Sequence, residues 1–285
     1  MINWKNLSLN NFYKRRGWFY PLVSVFVAIS ISLSTILPTY AFSWIDILLQ
    51  GVQVIQLSNI SSRQEMKLGQ RINKQLLSSR FRLSRDRQIN RYINQIGQSL
   101  VTYSSRPNLK YTFQVINDNS INAYATLGGY VYVNKGLIKT AENEAELASV
   151  IAHEIGHIGA KHVVKQMRKT AIANGLVRAA GVEESQLVKI GVELAYRRPN
   201  SRRAEYQADS LGLRTLTRAG YPPSAMVSFM QKLLRKRSRV PSFLSTHPGT
   251  SARITSLTRQ ISRQPSSSRK GLNQAEYQAR IRSIR

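Results

Sequence analysis

The pentapeptide His153-Glu154-Ile155-Gly156-His157 sits inside an uninterrupted helix-forming run that starts near Asn143. An α-helix turns by about 100° per residue, so His153 and His157 stand about 40° apart, one turn above the other. Two imidazoles stacked in this way can share one Zn²⁺, and Glu154 is carried toward the open side of that ion. The motif therefore demands a helix here and a metal site on its face. Asn143 is a suitable N-cap with Glu146 three residues on, which predicts a capping box and one helix from about Glu144 to Lys169.

Two histidines do not complete a zinc site. Metzincins place a third His six residues after the second and a Gly three after it, whereas Val163 and Ala160 stand at those positions here. His162 lies nine residues beyond His153, half a turn round a continuous helix, and reads as a surface residue on the far face. The other route to a third ligand is a glutamate on a separate helix. Glu205 offers one, with Asp209 a turn further on to accept the N–H of a ligand imidazole. An arbitrary Glu/Asp pair is more often a solvated face. Here acids are scarce, and between Glu193 and Glu276 these are the only two.

Around the motif the pattern alternates between helix and a little strand. Gln64 to Tyr103 has helical periodicity in one or two amphipathic segments, broken at Pro107. Tyr111–Ile116 and Tyr130–Val133 read as strands, the second introduced by Gly128 and Gly129. Further helices are expected at about Arg202–Arg218, Pro223–Arg237 and Ser251–Arg263. The Ser- and Arg-rich residues 264–285 read as a basic, loosely ordered tail.

Charge and the N-terminus suggest where such a chain works. The formal net charge is +28, and half of it lies in residues 210–285, which carry 15 basic side chains and one acid. The end of the helix after Pro223 (Lys232, Arg235, Lys236, Arg237, with Arg239 beyond) and the tail would suit an anionic membrane surface. A nucleic-acid partner is disfavoured, because no recognition motif accompanies the charge. Cysteine is absent, so neither disulfides nor thiolate ligands contribute. Lys14-Arg15-Arg16 precedes a charge-free stretch from Gly17 to Ile45 with Ala41 as a small-residue cleavage point. Residues 1–41 therefore read as a signal for export to the periplasm or an equivalent compartment, with an uncleaved membrane anchor as the alternative. Residues 42–263 would form the folded domain.

Four segments occur in a telling order: Asn122–Ile138, Asn143–His157, Glu205–Asp209 and Thr246-His247-Pro248. In this the chain resembles metallopeptidase family 48, the group of HtpX, the CAAX prenyl endopeptidases and soluble exported relatives such as BepA. The resemblance implies an α+β, mainly helical gluzincin-type fold with a small sheet beside the active-site helix. It implies one Zn²⁺ held by His153, His157 and Glu205, with Glu154 as general base for attack of zinc-bound water on a peptide bond. It further implies that the strand at about Ala123–Val133 is the edge that pairs with an extended polypeptide substrate, with Asn122, Ala123 and Tyr124 beginning the substrate-facing segment. His247, and Arg253 downstream of it, would lie near the metal, as donors to an oxyanion or, for His247, as a latch over the ion. The expected activity is endoproteolysis of misfolded or membrane-associated proteins. A chaperone-like envelope protein with latent proteolysis, or a basic membrane or nucleic-acid adaptor with structural zinc, are the alternatives. The sequence does not specify an oligomeric state.

Overall fold

A computed structural model of the protein describes residues 54–176, 181–197, 200–236, 241–263 and 266–284. The expected export signal, residues 1–41, lies outside the described residues. Among the described residues no helix is long and apolar enough to cross a membrane.

In chain order the elements are β1 (Val54–Ile55), α1 (Ser62–Ser79), α2 (Arg87–Val101), β2 (Thr112–Ile116), β3 (Ala123–Ala125), β4 (Tyr130–Asn134) and α3 (Lys135–Thr140). Then come α4 (Glu144–Gly159), α5 (His162–Ala173), β5 (Val182–Glu183), α6 (Glu184–Arg197) and α7 (Arg202–Arg218). Helices α8 (Ser224–Arg235), α9 (Ser242–Thr246), α10 (Thr250–Ser262) and α11 (Gln274–Arg280) complete the series. The fold is mainly helical with a small mixed sheet, as expected.

The sheet has the order β2-β4-β3, with β2 parallel and β3 antiparallel to β4. Ala123–Val133 does not form one edge strand, as the sequence had suggested. Gly128 (φ 72°) and Gly129 (φ 87°) take the left-handed backbone that other residues avoid, and there the chain reverses. Only β3 is left on the edge, and β4 becomes the central strand. Strand side chains alternate between faces, so Val131 and Val133 enter the core beneath α2 and α4, while Tyr132 enters a second core lined by α1, α5 and α6. On the far side, β2 is covered by the segment before α2: Ser84 N–H donates to Val115 O and Asn117 N–H to Arg82 O.

Helix α4 is buried along almost its whole length, as its apolar circumference requires. It can lie so close to α7 because small residues meet there. A Cβ on Gly156 would come within 2.6 Å of Ala208 O, and one on Gly212 within 2.9 Å of His153 N and Cα. Asn143 caps α4 by accepting Glu146 N–H at 3.0 Å. The return arm of the expected capping box is missing. The Glu146 carboxylate turns instead to Glu142 N–H, Ser228 Oγ and Lys232 Nζ, because α8 packs against the start of α4. Lys232 is thereby paired with Glu142 and Glu146 and is withdrawn from the expected membrane-facing patch. Arg237 and Arg239 of that patch lie outside the described residues.

The expected helix to Lys169 is in fact two. Helix α4 stops at Gly159, Lys161 adopts φ 55°, and α5 begins afresh at His162.

The tail is ordered where it is described, contrary to the sequence reading. Tyr277, Ile281 and Ile284 are buried in the core shared by α2 and α4, and Tyr277 Oη donates to Ile138 O. Gly271 O accepts Ala145 N–H at 3.0 Å, satisfying an amide that a helix start leaves unpaired. Lys270 Nζ donates to Ala219 O and lies 4.2 Å from the Tyr221 ring centre. Three apolar side chains, Tyr277 on α11 and Ile281 and Ile284 just beyond it, anchor a segment whose composition looked disordered. Each such burial stabilises by about 1.5–3 kcal/mol, partly offset by chain entropy. A chain ending at Arg263 is therefore expected to lose about 2–5 kcal/mol in urea unfolding; an unchanged midpoint would show the segment to be incidental.

Candidate metal centre and active site

The one-turn spacing on α4 brings His153 Nε2 and His157 Nε2 to 3.0 Å of each other. The close crossing of α7 sets Glu205 across from both rings, with its Oε2 3.4 Å from His153 Nε2 and its Oε1 3.3 Å from His157 Nε2. His247, just after α9, completes a buried group of four whose ligand atoms all lie within 4.8 Å of one another. Its Nε2 is 3.3 Å from Glu154 Oε1.

Each ring is oriented by its other nitrogen. Asp209 is acceptor-only as a carboxylate, so His153 Nδ1–H donates to Asp209 Oδ1 at 2.9 Å. His247 Nδ1–H donates to Phe243 O at 3.1 Å. His162 Nε2–H donates to Gln207 Oε1 at 3.0 Å, which leaves its Nδ1 as acceptor for His157 Nδ1–H at 2.9 Å. This network assigns the tautomers of the neutral rings, in which three Nε2 atoms face one another and a carboxylate.

Such a cluster fits a cation. Lone pairs and carboxylate oxygens repel when nothing positive lies between them, and Glu205 Oε1 and Glu154 Oε1 have no hydrogen-bond donor. Ligands about 2.0–2.1 Å from a tetrahedral Zn²⁺ stand about 3.3 Å apart, close to the separations here. The donor set, nitrogen and oxygen without sulfur, suits zinc.

The charges behind the cluster are balanced by Arg253, among the most deeply buried large side chains of the described residues. Its Nε and Nη2 donate to the two oxygens of Asp209, each at 2.7 Å, and its Nη1 lies 2.7 Å from Glu205 Oε2 and 3.1 Å from His247 O. Every guanidinium nitrogen is engaged there, so Arg253 is not aimed at a substrate oxyanion, the role the sequence suggested for it. It fixes the carboxylates instead.

Burial works against the ionised forms of Glu154, Glu205 and Asp209, but their cationic and imidazole neighbours more than offset it and hold all three pKa values low. Glu154 is therefore a carboxylate, as a proton acceptor must be. For His153, burial disfavours the charged ring, yet Asp209 and Glu205 outweigh it and raise the pKa to about 9, so its Nε2 becomes a free donor only when a cation in the cluster displaces the proton. Burial first, then the neighbouring His157, lowers His162 to about 4, which keeps it neutral as the tautomer chain requires.

A narrow cavity opens at this cluster. Glu154, His157 and His247 form one side, β3 (Ala123, Tyr124, Ala125) another, and Gln166 and Leu194 part of the rest. Asn122 stands behind it: buried, it accepts from Ala123 N–H and Thr246 Oγ1 and so joins β3 to the His247 loop. Ala123 and Tyr124 line the cavity, whereas Asn122 supports its wall from behind.

Sequence reasoning missed His162 and Gln207. The break at Lys161 turns His162 back under His157 and buries it, where an unbroken helix would have exposed it. One signal was available. All four histidines of the chain are buried at this one place, and the scarcity argument that singled out Glu205 and Asp209 applies equally to them.

Comparison with known proteins agrees with this arrangement. The chain is 32% identical over 213 residues to the beta-barrel assembly-enhancing protease of Escherichia coli (strain K12), covering 69% of this chain and 44% of that protein. It is 35% identical over 187 residues to the putative beta-barrel assembly-enhancing protease of Vibrio cholerae, covering 59% and 38%. With the mitochondrial metalloendopeptidase OMA1 of Schizosaccharomyces pombe it shares 29% over 169 residues, covering 57% and 50%. It thus spans half or less of the length of each of these relatives. The sequence profile described as Peptidase family M48 matches residues 87–261, which hold every residue of the cluster. The chain belongs to Peptidase family M48.

Proposed function

We propose that this protein is a zinc-dependent endopeptidase acting on polypeptides in extended form. The observation that carries the reading is the convergence of the bare Nε2 atoms of His153 and His157 with the Glu205 carboxylate, beside an ionised Glu154. An ion held there supplies Lewis acidity toward the scissile carbonyl and acidifies a water. Glu154 accepts the proton of the attacking water and returns it to the leaving amine. Asp209 and His162 keep the two rings in the ligand tautomer, and Arg253 is a positioning residue for both carboxylates. The edge strand β3 offers backbone N–H and C=O groups to an extended substrate beside Glu154.

The basic head and apolar stretch of residues 1–41 support export to the periplasm or an equivalent compartment. The bacterial relatives are named beta-barrel assembly-enhancing proteases, which supports membrane-associated proteins as substrates. A structural zinc in a non-catalytic adaptor would give no reason for an ionised Glu154 opening onto a cavity.

His247 fits a latch better than an oxyanion donor. Its only N–H is committed to Phe243 O, so the nitrogen facing the cluster has no proton to give. Standing where a fourth ligand would, it competes with water and substrate for that position. The resting protein is therefore closed, and opening requires the His247 loop to move.

Three measurements test these roles. Glu154→Gln should lower the rate of casein digestion by about 10²–10⁴-fold with metal content still one per chain, and undiminished cleavage would remove Glu154 from the reaction. His162→Ala should weaken zinc retention in a chelator titration by about 10–100-fold at an unchanged circular dichroism spectrum; equal retention would make the ring–ring contact decorative. His247→Ala should raise digestion of an unfolded protein severalfold if the ring is a latch, whereas a fall would restore the oxyanion role.

A further inference from the structure

Next to the catalytic cavity runs a wider groove of about 690 Å³ between α5, the end of α6 and the start of α7. The two share a wall: Gln166, Leu194 and Asn200 line both. Gln166 Nε2 donates to Asn200 Oδ1 at 2.8 Å, and Asn200 N–H donates to Thr246 O, so the sill between them is tied to the residue before His247.

The groove carries one sign of charge. Lys165 and Lys169, one turn apart on α5, and Arg203 on the first turn of α7 line it, all three exposed, and no acid is among its lining residues. His162 at its inner end is neutral. Elsewhere Arg71, Arg106, Lys232 and Arg253 are paired with carboxylates, whereas no carboxylate among the described residues lies within ion-pair distance of Lys165, Lys169 or Arg203. Nine of the chain's 14 acids fall within residues 129–209, the region that builds these walls, yet none is placed in the groove. Cations left together and unneutralised on a concave wall attract and orient an anionic ligand.

We infer that this groove is a substrate subsite for acidic residues: Lys165, Lys169 and Arg203 select polypeptides carrying Asp or Glu on one side of the bond to be cut. The inference rests on the peptidase reading, but binding can be followed without turnover. Apolar atoms of Leu194 and Ala204 on the floor leave room for the backbone and side-chain stems, while the three cations meet the carboxylates at the rim.

The test uses the full chain and two labelled peptides built on one extended casein segment, one with three Glu on one side of the central bond and one with three Gln there, each pair made for both sides. Affinities are measured by fluorescence anisotropy on the Glu154→Gln protein and kcat/KM on the unsubstituted one, at low and high salt. The Glu peptide of one pair should bind about tenfold more tightly than its Gln counterpart at low salt, and the ratio should shrink as salt rises. In the triple variant Lys165→Glu, Lys169→Glu, Arg203→Glu the ratio should fall to one or below. A control triple, Arg91→Glu, Lys110→Glu, Arg218→Glu, makes the same change in net charge at exposed sites outside the groove and should keep it. A ratio unaffected by the groove variant, or lost equally in the control, overturns the inference. The groove is upheld, and the peptidase reading fails, if the binding ratio behaves as expected while neither peptide is cleaved. Cleavage without any Glu preference leaves the peptidase reading standing and ends the subsite.

Discussion

The close crossing of α4 and α7 is the constraint on which the site depends. Backbone meets backbone there because Gly156, Ala208 and Gly212 have little or nothing between them. Only at that separation does a Glu on the first turn of α7 reach two imidazoles on α4. Helix propensity argues against glycine in a helix by about 1 kcal/mol each relative to Ala. The sequence accepts that cost at two facing positions, and what it gains is reach. Side chains of ordinary size at the same contact would hold the helices apart and leave two histidines without a third ligand.

The second requirement is electrical. Three carboxylates and three imidazoles are buried in one small volume, an arrangement that would be unfavourable without compensating positive charge. Arg253 supplies part of it from behind, bridging Asp209 and Glu205, and the fit of the remaining bare nitrogen and oxygen atoms points to a cation in front. Arg253 engages both oxygens of Asp209 and Glu205 Oε2, which leaves Glu205 Oε1 without a donor. His162 and Gln207 play the corresponding part for His157 without adding charge.

Much of this was legible in the chain because it is local. The paired histidines follow from helical period alone, and α7, α8 and α10 fall within two residues of where their periodicity and punctuation placed them. Glu205 and Asp209 could be picked out because acids are so scarce around them. What failed depended on events that leave little trace in sequence. Lys161 in a left-handed conformation ends α4 and redirects His162, although lysine is not a residue that announces such a break. Glu146 abandons its capping partner because a lysine 86 positions away is packed beside it. Residues 274–284 are ordered by three apolar contacts with a core assembled from much earlier segments, and composition averaged over the tail concealed them.

The sheet treats its two edges differently. Along β2 the chain preceding α2 takes Val115 O and the Asn117 amide just past the strand, so a foreign strand finds that end already occupied. The other edge of the sheet, β3, is the side bordering the cavity. A sheet strapped at one flank and bordered by the site at the other has two different edges. A strand added at β3 would lie beside Glu154, while at β2 the strap hinders lateral association, the usual hazard of exposed strands.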